Sequence, residues 1–117
     1  MHEMALAENV LDVVVESALQ AGATAVRTVY LTIGVARDVV VDLLDGLLGH
    51  LSRGTIAEGA EIVIVEAPVL CRCNECGAAY PVDYTDLNAS WGCPTCGGIH
   101  YKAYSGMQFE IDRIEVV

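Results

Sequence analysis

Basic residues are scarce in this chain. Six Lys and Arg stand against sixteen Asp and Glu, for a net charge of −10. A nucleic-acid binder takes much of its affinity from neutralising phosphates, and six scattered cations make no basic footprint, so no nucleic-acid partner is expected. None of the six precedes Arg27. Without a basic n-region, and without a small-residue cleavage site after a clean apolar stretch, no secretory signal is expected. Long apolar runs are also missing. The longest, near residues 39–51, is broken by Asp42, Asp45, Gly46 and Gly49, and is too short and too charged to cross a bilayer. The balance suits a cytoplasmic protein that meets cations or basic partners. Histidine is limited to three residues. No Cys–His–Asn set, phosphate loop or general base beside an open metal can be assembled, so the chain is not expected to be an enzyme.

What is present is a core. Of the 117 residues 54% are hydrophobic, enough for one compact core and one small stapled module. Residues 4–21 carry Leu6, Val10, Val13, Val14 and Ala18 at helical spacing, with Asn9, Asp12, Glu16 and Gln20 on another face. Residues 24–33 switch to period two, with Val29, Leu31 and Ile33 on one side and Thr28, Tyr30 and Thr32 on the other. Asp38 is placed to cap a second helix over 39–52, with Val40, Leu43, Leu44, Leu47, Leu48 and Leu51 inward. The stretch "EGAEIVIVEAPVL" reads as one strand, apolar on both faces from Ile62 to Val65 and therefore central or covered. "MQFEIDRIEVV" gives a third strand whose apolar parity shifts between Ile111 and Ile114. The expected fold class is α+β: a small three-stranded sheet with two helices on one face, plus an inserted zinc-ribbon-like module.

That module is written in cysteine. Five cysteines cluster between Cys71 and Cys96, and without a leader such clustering favours metal ligation over disulfides. Cys73-x2-Cys76-Gly77 and Cys93-x2-Cys96-Gly97 are matched knuckles. Two intervening residues let both sulfurs of a pair reach one ion, and the glycine relieves the tight turn. Four thiolates at about 2.3 Å complete a tetrahedral Zn(II) shell with no open position, so the site is structural. Cys71 is left over, either as a buried strand-end thiol or as an alternate ligand.

The opening "MHE" leaves two readings. His2 is an exposed terminal side chain, or it chelates together with the α-amine and a deprotonated backbone amide. A nitrogen-rich planar set favours Ni(II) or Cu(II).

"MHEMALAENVLDVV", "LTIG" followed by Asp38, "GTIAEGAEIVIVE", the paired knuckles and the closing "IDRIEVV" together resemble the HypA family of nickel metallochaperones, in order along the chain. The resemblance implies a nickel-binding α+β domain over residues 1–70 and 105–117, with a zinc-binding domain over 71–104. It implies Ni(II) cargo at Met1, His2 and Glu3, with His2 the principal side chain, and structural Zn(II) on Cys73, Cys76, Cys93 and Cys96. It implies delivery during [NiFe]-hydrogenase maturation, for some members also to urease, with the GTPase HypB and the hydrogenase large subunit as partners. It also gives Asp38 a second reading, as an acidic residue near the nickel end. In some relatives a histidine supplements the nickel site, and His100 is the one candidate for that; otherwise it is a loop residue. His50 is expected to face solvent or to cap its helix end. The competing reading of the whole chain is a zinc-ribbon protein-interaction adaptor with no metal-delivery role.

Overall fold

The computed structural model describes residues 2–117. The elements run α1 (His2–Gln20), β1 (Val26–Gly34), a short 3-10 turn, α2 (Val41–Leu51), β2 (Glu61–Ala67), β3 (Val69–Cys73), β4 (Ala79–Val82), β5 (Tyr101–Ser105) and β6 (Phe109–Val116). They form two three-stranded sheets, ordered β2-β1-β6 and β4-β3-β5. Contacts divide the chain into two compact units. One holds Met1–Thr32, Val39–Val65 and Glu110–Val117, and the other holds Ile33–Asp38 and Glu66–Phe109.

In the first unit both helices cover one face of the sheet. Val10 and Val14 of α1, Leu48 of α2, Val29 of β1 and Ile62 of β2 line one small cavity of about 20 Å³. The inward stripe of α1 is Ala7, Val10, Val14 and Ala18. Val13 was expected inward but is 50% exposed, because burying Ala7 and Val14 a full two turns apart rotates it off the core. In α2 only Leu44 and Leu48 are fully buried; Val40 and Leu43, also expected inward, lie largely in solvent. A helix of three turns offers one narrow stripe to its neighbour.

Strand β1 is the buried centre of the sheet, with Val29, Leu31 and Ile33 almost wholly covered. Its other side carries polar cross-strand partners: the Tyr30 hydroxyl donates to Glu115 and the Thr32 hydroxyl to Asp112. Strand β2 was expected to be central or covered and is instead an edge, with Val65 57% exposed. Its apolar run is two strands. Pro68 lacks the N–H a ladder needs, and the chain breaks there, so β2 joins the first sheet and β3 the second.

In the second unit β3 is central and antiparallel to both neighbours. Val69, Cys71, Cys73, Tyr80, Val82 and Cys93 make its core. Segment 34–36 belongs here through backbone bonds: Gly34 N–H donates to the Gln108 carbonyl and Ala36 N–H to that of Gly106. The approach is close enough that a Cβ on Gly34 would fall on the Gly106 carbonyl group.

Asp38 does not cap α2. It adopts a left-handed conformation, φ 58°, and both its carboxylate oxygens accept from the Tyr84 hydroxyl, at 3.0 and 3.2 Å. The residue at the helix start is Val40, whose apolar side chain cannot cap. Its N–H donates across to Glu3.

Candidate metal centre

The end of strand β3, the turn that follows it and the loop between β4 and β5 carry the four cysteines. The Sγ atoms of Cys73, Cys76, Cys93 and Cys96 all lie within 4.8 Å of one another. Cys73 Sγ is 3.6 Å from Cys96 Sγ, and Cys76 Sγ is 3.5 Å from Cys93 Sγ. Four sulfurs bound tetrahedrally at about 2.3 Å would sit about 3.8 Å apart, so spacing and donor chemistry both fit a closed thiolate shell.

The two knuckles are built alike. Gly77 N–H donates to the Cys73 carbonyl at 3.0 Å, and Gly97 N–H to the Cys93 carbonyl at 2.9 Å. Each turn needs positive φ at its glycine, +78° and +74°. Amides then face the sulfurs. Glu75 and Cys76 N–H groups point at Cys73 Sγ (3.3 and 3.5 Å), Thr95 N–H at Cys93 Sγ (3.4 Å), and Gly98 N–H at Cys96 Sγ (3.4 Å). Outside the knuckles, Arg72 donates to the Gly77 carbonyl at 2.9 Å and the Tyr80 hydroxyl to the Trp91 carbonyl at 2.6 Å. These braces were not read from sequence, because only the fold brings their partners together.

The thiols divide into two kinds. The first cysteine of each knuckle is buried and the second exposed. The Cys96 N–H, helped by that of Thr95, holds the Cys93 thiol down to about 6, and the Cys76 N–H lowers Cys73. At Cys96 the Gly98 N–H pulls down, but the neighbouring sulfurs and burial outweigh it and push the thiol up to about 12. Cys76 is raised too: the Ala78 N–H works against the Cys93 sulfur and burial, and loses. Four sulfurs this close do not ionise together without a cation between them. A divalent ion reverses that, taking all four as thiolates and releasing protons.

Cys71 stands outside the cluster. It is fully buried in β3 between Tyr80 and Ala103, and burial raises its thiol. His100 is exposed before β5, and its Nδ1 lies 3.9 Å from Glu75 Oε2, also exposed. His50 is exposed in the last turn of α2.

At the other candidate site, Met1 lies outside the described residues. His2 opens α1 and is exposed. The first N–H groups of a helix have no intrahelical acceptor, and the Glu3 N–H turns to its own carboxylate. Glu3 is committed: its carboxylate accepts the Val40 N–H at 2.9 Å, which chiefly holds it below the usual carboxylate range. No helix among the described residues is long and apolar enough to cross a membrane.

The family model described as "Hydrogenase/urease nickel incorporation, metallochaperone, hypA" matches residues 1–116. A hydrogenase maturation factor HypA of Chlorobaculum tepidum is 38% identical over 111 residues, covering 95% of each chain. That of Streptomyces avermitilis is 38% identical over 112 residues, 95% of this chain and 83% of the relative. Two solved structures are similar in fold. The solution structure of a HypA protein has a TM-score of 0.75 at 18% identity, covering 100% of this chain and 97% of its own. That of the Ni metallochaperone HypA from Helicobacter pylori has 0.67 at 16%, covering 98% and 97%.

Proposed function

The chain belongs to the HypA family of hydrogenase and urease nickel-incorporation metallochaperones, and from that premise we propose that it carries Ni(II) at its N-terminus and hands it on during [NiFe]-hydrogenase maturation. The cargo is held by the Met1 α-amine, nearby backbone amides and the His2 imidazole. The Glu3 side chain positions this end, and its place is backbone ligation and orientation ahead of side-chain ligation. The supporting observation is the first turn of α1: an exposed His2 at a helix end anchored by the Glu3–Val40 bond. A carrier needs an exposed site from which metal can leave, and a chain end provides it.

Zn(II) on Cys73, Cys76, Cys93 and Cys96 fits the closed sulfur shell and supplies structure, not catalysis. The protein acts in the cytoplasm as a binder, without an enzymatic step. HypB and the hydrogenase large subunit are its proposed partners; urease is a second client.

Calorimetry with Ni(II) on three zinc-loaded forms tests the reading: the native terminus, a Gly-Ser extension before Met1, and His2→Ala. The native form binds one nickel. The extension moves the amine away from His2 and weakens binding, and His2→Ala abolishes it with zinc and fold intact. Binding declines in acid, because the imidazole must be neutral to ligate. Equal affinity in all three forms would move the nickel site elsewhere.

A further inference from the structure

The second unit holds three of the six basic residues: Arg37, Arg72 and Lys102. Arg37 stands apart from the β3–β5 pairing, with its guanidinium over the Phe109 ring and directed at the Met107 carbonyl. The other two are direct cross-strand partners, Arg72 on β3 against Lys102 on β5. Like charges placed directly opposite destabilise a sheet. In a chain of net charge −10, carboxylates to relieve them are plentiful, yet among the described residues neither is ion-paired; the one side-chain contact of that kind there is His100 Nδ1 with Glu75 Oε2, at 3.9 Å. Both side chains are exposed. Tyr104 completes the patch: it is 53% exposed, and the Arg72 guanidinium lies 5.6 Å from its ring centroid. Arg72 spends one N–H on the Gly77 carbonyl and so is held in place with its other donors free.

We propose that this face of the sheet, formed by Arg72, Lys102 and Tyr104, docks an acidic segment of a partner protein, with a carboxylate seated between the two cations. Charge complementarity selects the occupant: the anion removes the cross-strand repulsion that the free protein retains, and the Tyr104 ring supplies an apolar flank. Adding a strand along β5 is disfavoured. The register slips between Leu70 and Cys71, which leaves Tyr104 as an extra residue, and such a bulge twists an edge out of line for pairing. The partner therefore lies on the face and not along the edge.

The test uses the zinc-loaded full chain and two probes, hexaglutamate and hexaglutamine, followed by backbone amide shifts at low salt. Hexaglutamate moves residues 72, 102 and 104; hexaglutamine does not. Lys102→Gln and Arg72→Gln each weaken binding about fivefold, the scale of an exposed ion pair, and the double variant loses it. Lys102→Glu adds a readout that a purely structural role would not produce. It replaces a like-charge pair by an opposite-charge pair, so the melting temperature rises while hexaglutamate binding is abolished. The proposal is overturned if hexaglutamate does not bind the native protein, if it binds the double variant as well, or if the shifts centre on Arg37. Tighter binding of a single-stranded oligonucleotide at the same residues would overturn it equally.

Discussion

Glu3 is bound by a neutral backbone donor, and that bond has a measurable signature. Only the ionised carboxylate accepts the Val40 N–H at full strength, so folding lowers the Glu3 pKa. Its contribution to stability is therefore complete above the unfolded carboxylate range, near ~4.3, and is lost as pH falls through the lowered folded value. A carbon-detected titration of Glu3 should show its midpoint below that range. Val40→Pro should return it toward ~4.3, because the donor is gone while the backbone angle, φ −80°, stays close to what proline adopts. An unchanged midpoint in the proline variant would mean that another group holds the carboxylate. The cysteines separate in the same one-residue way. Cys73→Ala removes a thiolate from the sulfur shell and should release zinc, whereas Cys71→Ala should keep a full equivalent by metal analysis, since Cys71 Sγ is not part of the cluster.

Among the elements, two glycines of equal composition have opposite meanings. Gly46 lies in α2, and a Cβ there would meet nothing within 4 Å. Gly46→Ala should stabilise the protein by up to about 1 kcal/mol, the helix-propensity difference between the two residues. Gly34 ends β1 where its backbone lies against Gly106 and Met107, so Gly34→Ala forces two backbones apart and should cost about 1–3 kcal/mol. Urea unfolding of the zinc-loaded variants checks both. A destabilised Gly46→Ala would show that α2 needs glycine for something other than space.

For the whole molecule, two separately packed units predict two responses to metal removal. The core of the second unit is built partly from the cysteine cluster: Cys73 and Cys93 are buried beside Val69, Tyr80 and Val82. A chelator takes the staple from that core and leaves the thiols to repel or protonate. The core of the first unit, with Val14, Leu31, Leu44 and Leu48, contains no cysteine. Amide exchange after chelation should lose protection across Val69–Cys73 and Tyr101–Ser105 and keep it at Val29 and Leu31. Gly34 and Ala36 should go with the cysteine unit, because their N–H groups donate to the Gln108 and Gly106 carbonyls. Equal loss at Leu31 would mean that the chain unfolds as one.

The sequence by itself determined whatever depends on neighbours along the chain. The knuckle spacing and its glycines fixed which four sulfurs gather, since Cys-x2-Cys-Gly closes a tight turn that brings both sulfurs of a pair to one side. Period two in Thr28–Ile33 fixed β1, and the helical stripe through Val10, Val14 and Ala18 fixed α1. Tertiary structure alone decided what distant residues do to one another. Apolar content could not tell the edge strand β2 from a central one, because Ile62–Val65 looks the same until β1 takes the middle of the sheet. Local pattern made Asp38 a cap, but Tyr84, 46 residues away, holds it in a left-handed turn and leaves Val40 at the N-cap of α2. Arg72 and Lys102 are two scattered cations in sequence. Antiparallel pairing makes them one patch, because register is a property of two strands and is written in neither.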